Sequence, residues 1–191
     1  GSSALNIPDD LFLSMPSINN LTINRTGGVN LGNQNLTVNG LLDLSAGVLS
    51  LGANTLTISA SSPTRISGTI YGSNSGATLA FTNSSAITLP ASIFSGSLNN
   101  LTINGTGGIT SPDDFVVNGV LNLQSENPSA TKGSLDMWDG AAVKTLTMGA
   151  NATTIGTGDV TGIIKRTTIN PEITYTFGNQ HMSVFFPNDG T

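Results

Sequence analysis

Apolar and polar residues alternate along this chain in short bursts separated by turn formers. The clearest burst reads Asn20-Leu21-Thr22-Ile23-Asn24. It returns as Asn35-Leu36-Thr37-Val38-Asn39, as Thr55-Leu56-Thr57-Ile58-Ser59 and, unchanged, as Asn100-Leu101-Thr102-Ile103-Asn104. Looser copies are Asp114-Phe115-Val116-Val117-Asn118 and Thr145-Leu146-Thr147-Met148-Gly149. A period of two marks a strand with one buried side, and Asn, Asp, Ser and Gly at its flanks favour turns. A strand-plus-turn unit that recurs along a chain is the mark of a solenoid. The phrase returns after 15 residues and then after 20. That length suits one coil of about three short strands at ~3.3 Å per residue. No segment carries the 3.6-residue apolar stripe of a helix. The pattern therefore predicts an all-β chain: a parallel β-helix (β-solenoid, right-handed by analogy with the usual sense of such folds) of about six to seven coils.

A longer repeat lies above the short one. Ile7-Pro8-Asp9-Asp10-Leu11-Phe12 matches Leu89-Pro90-Ala91-Ser92-Ile93-Phe94, and both lead into the strand phrase and then Gly27-Gly28 or Gly107-Gly108. Further on, Leu36-Thr37-Val38-Asn39-Gly40 matches Phe115-Val116-Val117-Asn118-Gly119. The offset drifts from 82 to 80 to 79 residues, as expected when insertions fall in loops. The organisation read from this is repeat one over 7–88, repeat two over 89–166, and a C-terminal strand pair or terminal coil over 167–191. In that last segment Ile173–Phe177 and Met182–Phe186 form an aromatic two-strand segment around Gly178–His181.

Stacking of coils assigns each position in the phrase a place. Leu21, Leu36, Leu56, Leu101, Phe115 and Leu146 are expected to form one interior column, with Ile23, Val38, Ile58, Ile103, Val117 and Met148 as the next. Thr22, Thr37, Thr57, Thr102 and Thr147 face outward, with Val116 as the exception. Asn20, Asn35 and Asn100, and Asn24, Asn39, Asn104 and Asn118, mark corners as a structural ladder, since Asn tolerates the left-handed conformation and its amide bonds to turn backbone. The sequons at Asn20, Asn35 and Asn100 coincide with these corners, so the ladder reading outweighs glycosylation.

Composition narrows the chemistry. Charged residues are 9% of the chain, against about a quarter in ordinary domains. The net charge is −5 and only six Lys and Arg are present, which argues against nucleic acid as a partner. With no cysteine there is no disulfide, thiolate metal site or thiol nucleophile. No apolar run is long enough to span a membrane. The chain opens without a leader pattern, so any export signal is expected to be gone already. The abrupt ending at Asp189-Gly190-Thr191, with no polar cap evident at either end, points to a piece of something longer or to ends completed by neighbours.

The phrases Leu98–Asn104, Val38–Leu44, Gly47–Ile58 and Val160–Arg166, together with Tyr175-Thr176-Phe177-Gly178-Asn179, resemble the repetitive β-solenoid regions of large secreted, adhesin-like surface proteins of Bacteroidetes and related bacteria. The resemblance covers most of the chain and concerns a repeat style rather than a ligand. It implies a secreted or cell-surface, extracellular bacterial protein with no catalytic residues to carry over.

Candidate chemistry is sparse. Parallel β-helices include polysaccharide-cleaving enzymes, which need converging carboxylates and basic groups. The acidic pair Asp113-Asp114 follows Pro112 at a corner and is a conceivable calcium flank, though a solvated turn is the plainer reading. Asp136-Met137-Trp138-Asp139-Gly140 reads as a turn with an exposed Trp138. Tyr71, Trp138 and Tyr175 are the candidate ligand contacts. The single histidine, His181, reads as a hairpin residue and leaves a catalytic triad or imidazole metal cluster without partners. Lys165-Arg166 reads as a charged exterior at a strand end. No catalytic, cofactor or metal site is assigned. The favoured expectation is a non-catalytic extracellular structural or adhesive module, open to self-association through its solenoid ends into a head-to-tail surface fibre, with a surface glycan or other cell-surface ligand as its partner. The alternatives are a carbohydrate-binding or carbohydrate-cleaving β-helix and, on the outward Thr column, an ice-binding protein, against which uneven coil lengths weigh.

Overall fold

The computed structural model describes residues 3–9, 11, 16–124, 133–178 and 182–188, and within them the chain forms strands and no helix. Asp10, Phe12, Asn179, Gln180, His181 and Asp189 to Thr191 lie outside the described residues.

The chain winds as a β-solenoid of seven three-strand turns. The first turn is β1 (Leu5–Asn6), β2 (Ser17–Ile18) and β3 (Leu21–Asn24). The second is β4 (Val29–Asn30), β5 (Leu36–Val38) and β6 (Leu42–Ala46). The third is β7 (Val48–Ser50), β8 (Thr55–Ile58) and β9 (Thr64–Arg65). The fourth is β10 (Thr69–Gly72), β11 (Thr78–Phe81) and β12 (Ile87–Thr88). The fifth is β13 (Phe94–Leu98), β14 (Asn100–Ile103) and β15 (Ile109–Ser111). The sixth is β16 (Phe115–Val117), β17 (Val120–Leu123) and β18 (Ser134–Met137). The seventh is β19 (Thr145–Met148), β20 (Thr153–Gly156) and β21 (Asp159–Thr161). β22 (Ile163–Arg166) begins an eighth pass, and β23 (Ile173–Thr176) and β24 (Ser183–Phe186) close as an antiparallel hairpin.

Every third strand pairs in parallel, giving three faces. The first face has eight strands from β1 to β22, and the second has seven from β2 to β20. The third is in two pieces, β3-β6-β9 and β12-β15-β18-β21. Pairing runs on from β11 to β14 and from β12 to β15, so the sheets pass unbroken from repeat one into repeat two.

The core is the line where the three inner sides meet. On the second face Leu36, Leu56, Leu79, Leu101 and Leu121 stack in register, as do Val38, Ile58, Phe81 and Ile103, all 2% exposed or less. On the first face Phe115 stacks on Leu146 and Ile164, and on the third Ile87 on Ile109, Leu135 and Val160. Mostly aliphatic side chains repeating at the ~4.8 Å strand spacing, with Phe81 and Phe115 among them, fill a narrow core.

The copies of the phrase do not share one column. β3 lies on the third face, β5, β8 and β14 on the second, and β16 and β19 on the first. The reason is geometric. All three faces point alternate residues at the same axis, so one apolar-polar-apolar pattern serves any of them. The long repeat follows the same logic. β2, β3, β4, β5, β6 and β8 correspond to β13, β14, β15, β16, β17 and β19, a shift of eleven strands. Eleven is not a multiple of three, so repeat two is rotated by one face: Leu21 on the third face has its counterpart, Leu101, on the second.

The C-terminal end is covered, contrary to the uncapped ends expected. Arg166 is not an exterior charge but 7% exposed, in the interior position that Met148 fills one turn earlier. Its Nη1 donates to Gly149 O (3.1 Å) and Ala152 O (2.6 Å), and its Nη2 to Thr176 O (2.5 Å). The Tyr175 ring lies 4.9 Å from its guanidinium carbon, a cation–π distance. The segment from Tyr175 to Gly178 lies against the last strand of each face. Thr154 N donates to Thr176 Oγ1 (2.9 Å), Val160 N to Gly178 O (3.1 Å), and a Cβ built on Gly178 would meet Ile164. A buried guanidinium with carbonyl acceptors seals an end that the aliphatic columns leave open.

Candidate functional site

The polar corners are built before any site. Asn20, Asn35 and Asn100 hold the first position of the phrase. Each accepts, through Oδ1, the backbone N–H of a residue one turn on: Leu41, Thr55 and Val120, all at 2.8 Å. Asp114 holds the same position and accepts from Thr145 N at 2.7 Å. One sequence position is thus an inter-turn clasp used on all three faces. The other ladder residues act mainly through backbone. Asn39 N donates to Ile18 O, Asn104 N to Phe81 O and Asn118 N to Leu98 O at 2.8–2.9 Å, while Asn118 Nδ2 also reaches Ser97 Oγ (2.9 Å). Asn24 faces Ala46 where the β3–β6 register shifts. The amide-to-amide rung occurs elsewhere, between Asn30 Nδ2 and Asn6 Oδ1 at 2.8 Å. The paired glycines serve backbone geometry. Gly28 has φ +80°, and a Cβ there would stand 2.7 Å from Val48 O.

Where charges gather, the corner opens into a cavity of about 420 Å³ lined by Ser92, Phe94, Asp113, Asp114 and Lys144. Ser92 is held at φ 55°, a left-handed conformation for a residue other than glycine. Its N–H donates to Asp113 Oδ2. Asp113 and Asp114 thus each give one carboxylate oxygen to backbone and join neighbouring turns. Among the described residues no group of three or more His, Asp or Glu stands together as a metal site. Phe94 leans on Phe115 with ring centroids 5.3 Å apart.

A short hairpin rises beside this cavity. Trp138 N continues the third-face ladder onto Ser111 O (3.0 Å), which places Trp138 level with the Pro112–Asp114 corner. Trp138 bridges antiparallel to Val143, and Lys144 N closes the loop on Met137 O (2.8 Å). Asp139 organises the tip. Its Oδ1 accepts the N–H groups of Ala141 (2.8 Å) and Ala142 (2.6 Å), and its Oδ2 pairs with Lys144 Nζ at 2.6 Å. The Lys144 hydrogen bond first, and the two backbone N–H groups after it, hold the Asp139 carboxyl well below the usual carboxylate range. Asp139 in turn raises Lys144, with the more distant Asp114 and Asp113 adding to the effect.

Of the three candidate contacts, the structure leaves two at the surface and takes one away. Trp138 and Tyr71 are 38% and 36% exposed. Tyr71 lies on the first face with its ring against Gly96. Tyr175 is 3% exposed, packed on Arg166 and Phe186, with its hydroxyl accepting Asn170 N at 2.8 Å. It is part of the cap and not a ligand contact. Sequence reasoning missed the Asp139–Lys144 pair and Ser92. The first had a signal, an Asp and a Lys bracketing a Gly-Ala-Ala turn. The Ser92 conformation had none.

No protein-family model matches the chain, and neither curated proteins nor solved structures give a match. Among the described residues no helix is long and apolar enough to cross a membrane.

Proposed function

We propose that the chain is a non-catalytic structural and adhesive rod module of an extracellular bacterial surface protein. The observation that supports this most is the repeated inter-turn clasp. At Asn20, Asn35, Asn100 and Asp114 the polar corner side chain is committed to the backbone of the next turn. Such joints make a rod resistant to shear between turns, and they leave few polar groups converging on a reaction centre. Seven turns at ~4.8 Å give a rod roughly 35 Å long. The cap at Arg166 bears on the fibre. Strand-on-strand stacking at that end requires the hairpin of β23 and β24 to leave, so adhesion by the side of the rod is the simpler mode. Two measurements test the reading. Antibody labelling of intact source cells should detect the chain without permeabilisation. In single-molecule stretching the module should yield in one high-force event. Labelling only after permeabilisation, or gradual yielding at low force, would overturn it.

A second reading has its own observation, the cavity of Ser92, Phe94, Asp113, Asp114 and Lys144 beside exposed Trp138. A phenyl wall with hydroxyl, carboxylate and ammonium groups suits one pyranose ring of a surface glycan. Trp138 is the chain's only tryptophan, so its fluorescence reports the site. A shift on titration with an oligosaccharide panel, lost in D113N, supports this reading. An unchanged spectrum across the panel dismisses it.

A further inference from the structure

The second face differs from the other two in register, and from the third in charge. Its strands β5, β8, β11 and β14 pair residue for residue without a shift. The first and third faces carry register shifts, between Ile70 and Gly72 and between Ile23 and Asn24. Uneven coil length, the objection to a regular lattice, does not break the register between β5 and β17. On this face the step between paired residues is 20 from Leu36 to Leu56, 23 from Leu56 to Leu79, 22 from Leu79 to Leu101 and 20 from Leu101 to Leu121, and it lengthens to 33 from Leu121 to Thr154.

Three outward rows run along the second face. The middle row is Ser17, Thr37, Thr57, Ala80, Thr102 and Asn122. One edge row carries Thr55, Thr78 and Asn100 in register. The other carries Ser59 and Thr82, whose hydroxyls bond at 3.1 Å. Asn100 Nδ2 likewise reaches Thr78 Oγ1 at 3.3 Å. Between β5 and β17 no strand of this face holds a charged residue. Charges lie on the neighbouring faces: Asp43 and Asp136 on the third, Lys165 on the first. Phe81, the one aromatic ring in these five strands, points inward and is fully buried.

The geometry points to an ice-binding surface: we propose that the second face docks on the neutral, regular lattice of an ice crystal through its Thr, Ser and Asn rows. The spacing is ~4.8 Å along the rod and ~6.6 Å between alternate residues of a strand, close to the oxygen repeats on ice. Threonine is stiff about χ1, and the side-chain bonds along the edge rows hold neighbouring rungs together. The array is therefore ordered before it meets water, and first-shell waters bridging hydroxyl and amide groups can be laid down in register. The absence of charge suits an uncharged partner. The absence of an exposed ring disfavours a crystalline polysaccharide, whose sugars stack on aromatic platforms. The proposal does not depend on the adhesive reading.

The test uses the whole chain at millimolar concentration, with thermal hysteresis and partitioning into a growing ice hemisphere as readouts. The folded chain should show hysteresis and enter the ice. T57K and T102K, at separate rungs of the middle row, should each abolish both effects while keeping the circular dichroism spectrum and melting temperature. T110K, on the third face, should retain them. Two second-face variants guard against one failing to fold. A folded chain without hysteresis or partitioning overturns the proposal, as does equal loss in T110K. Retention on microcrystalline cellulose or chitin with exclusion from ice overturns it in favour of a polysaccharide face.

Discussion

At the residue scale, the division of labour within the strand phrase governs what substitutions do. Asn100 accepts the Val120 N–H and donates to Thr78, so removing its amide leaves a strand-start donor without its partner. N100A should lower unfolding free energy by about 1 kcal/mol, read from the urea midpoint at unchanged slope. N151A, at an exposed corner, is the control and should leave the midpoint in place. Equal effects would mean that the clasp is not a joint. The clasp position was legible in the sequence as an Asn or Asp that opens four of the six copies of the phrase, with Thr55 and Thr145 opening the other two. Its partner was not, because that partner lies a full turn away and the turn length varies.

At the element scale, the hairpin around Trp138 and the terminal cap behave as small units with their own chemistry. The folded Asp139 carboxyl titrates below its ordinary value, chiefly through Lys144. A depressed folded value gives stability that is present above the unfolded carboxyl pKa and lost as pH falls through the folded one. Trp138 fluorescence should therefore hold constant through the ordinary carboxylate range, ~4, and change only in stronger acid. In D139N that late transition should vanish. A transition at the ordinary carboxylate pH would show that the pair does not hold the loop. The cap rests on Arg166, whose charged hydrogen bonds to Gly149, Ala152 and Thr176 carbonyls should each be worth about 1.5–3 kcal/mol. R166L should release the hairpin, seen as faster amide exchange at Tyr175 and Val184, while exchange at Leu56 and Leu79 in the middle turns stays slow. Slow exchange at all four sites would show that the hairpin packs without the arginine.

At the scale of the whole molecule, the rod is a stack whose last turn would otherwise present unpaired strand edges to any similar edge. Truncation after Thr167 removes the donors and acceptors that Thr176 and Gly178 supply to β20 and β21. The truncated chain should self-associate, with light scattering showing species larger than those of the full chain at equal concentration and electron microscopy showing end-to-end rods. An unchanged mass would mean that the last turn is closed without the hairpin. The eleven-strand repeat carries a further consequence for surface design. Corresponding residues of the two repeats look out from different faces, so a motif duplicated in sequence is not duplicated on one surface.

The class of fold, the turn count to within one, the period-two burial and the corners are all legible along the chain, because each is a local matter of alternation and turn chemistry. Leu36, Leu56 and Leu101 were legible as interior residues for that reason. Which face each strand joins, and with it which side chains meet, is set only when the turns stack. One polar-apolar pattern suits all three sides of a rod, so Leu21 and Leu101 read alike and stand on different faces. Arg166 read as an exterior charge because its neighbours along the chain are exposed; the carbonyls and ring that bury it arrive from Gly149, Ala152, Tyr175 and Thr176. The in-register, uncharged second face emerged in the same way, since its rows are assembled from residues about 20 apart and exist only once the register is set.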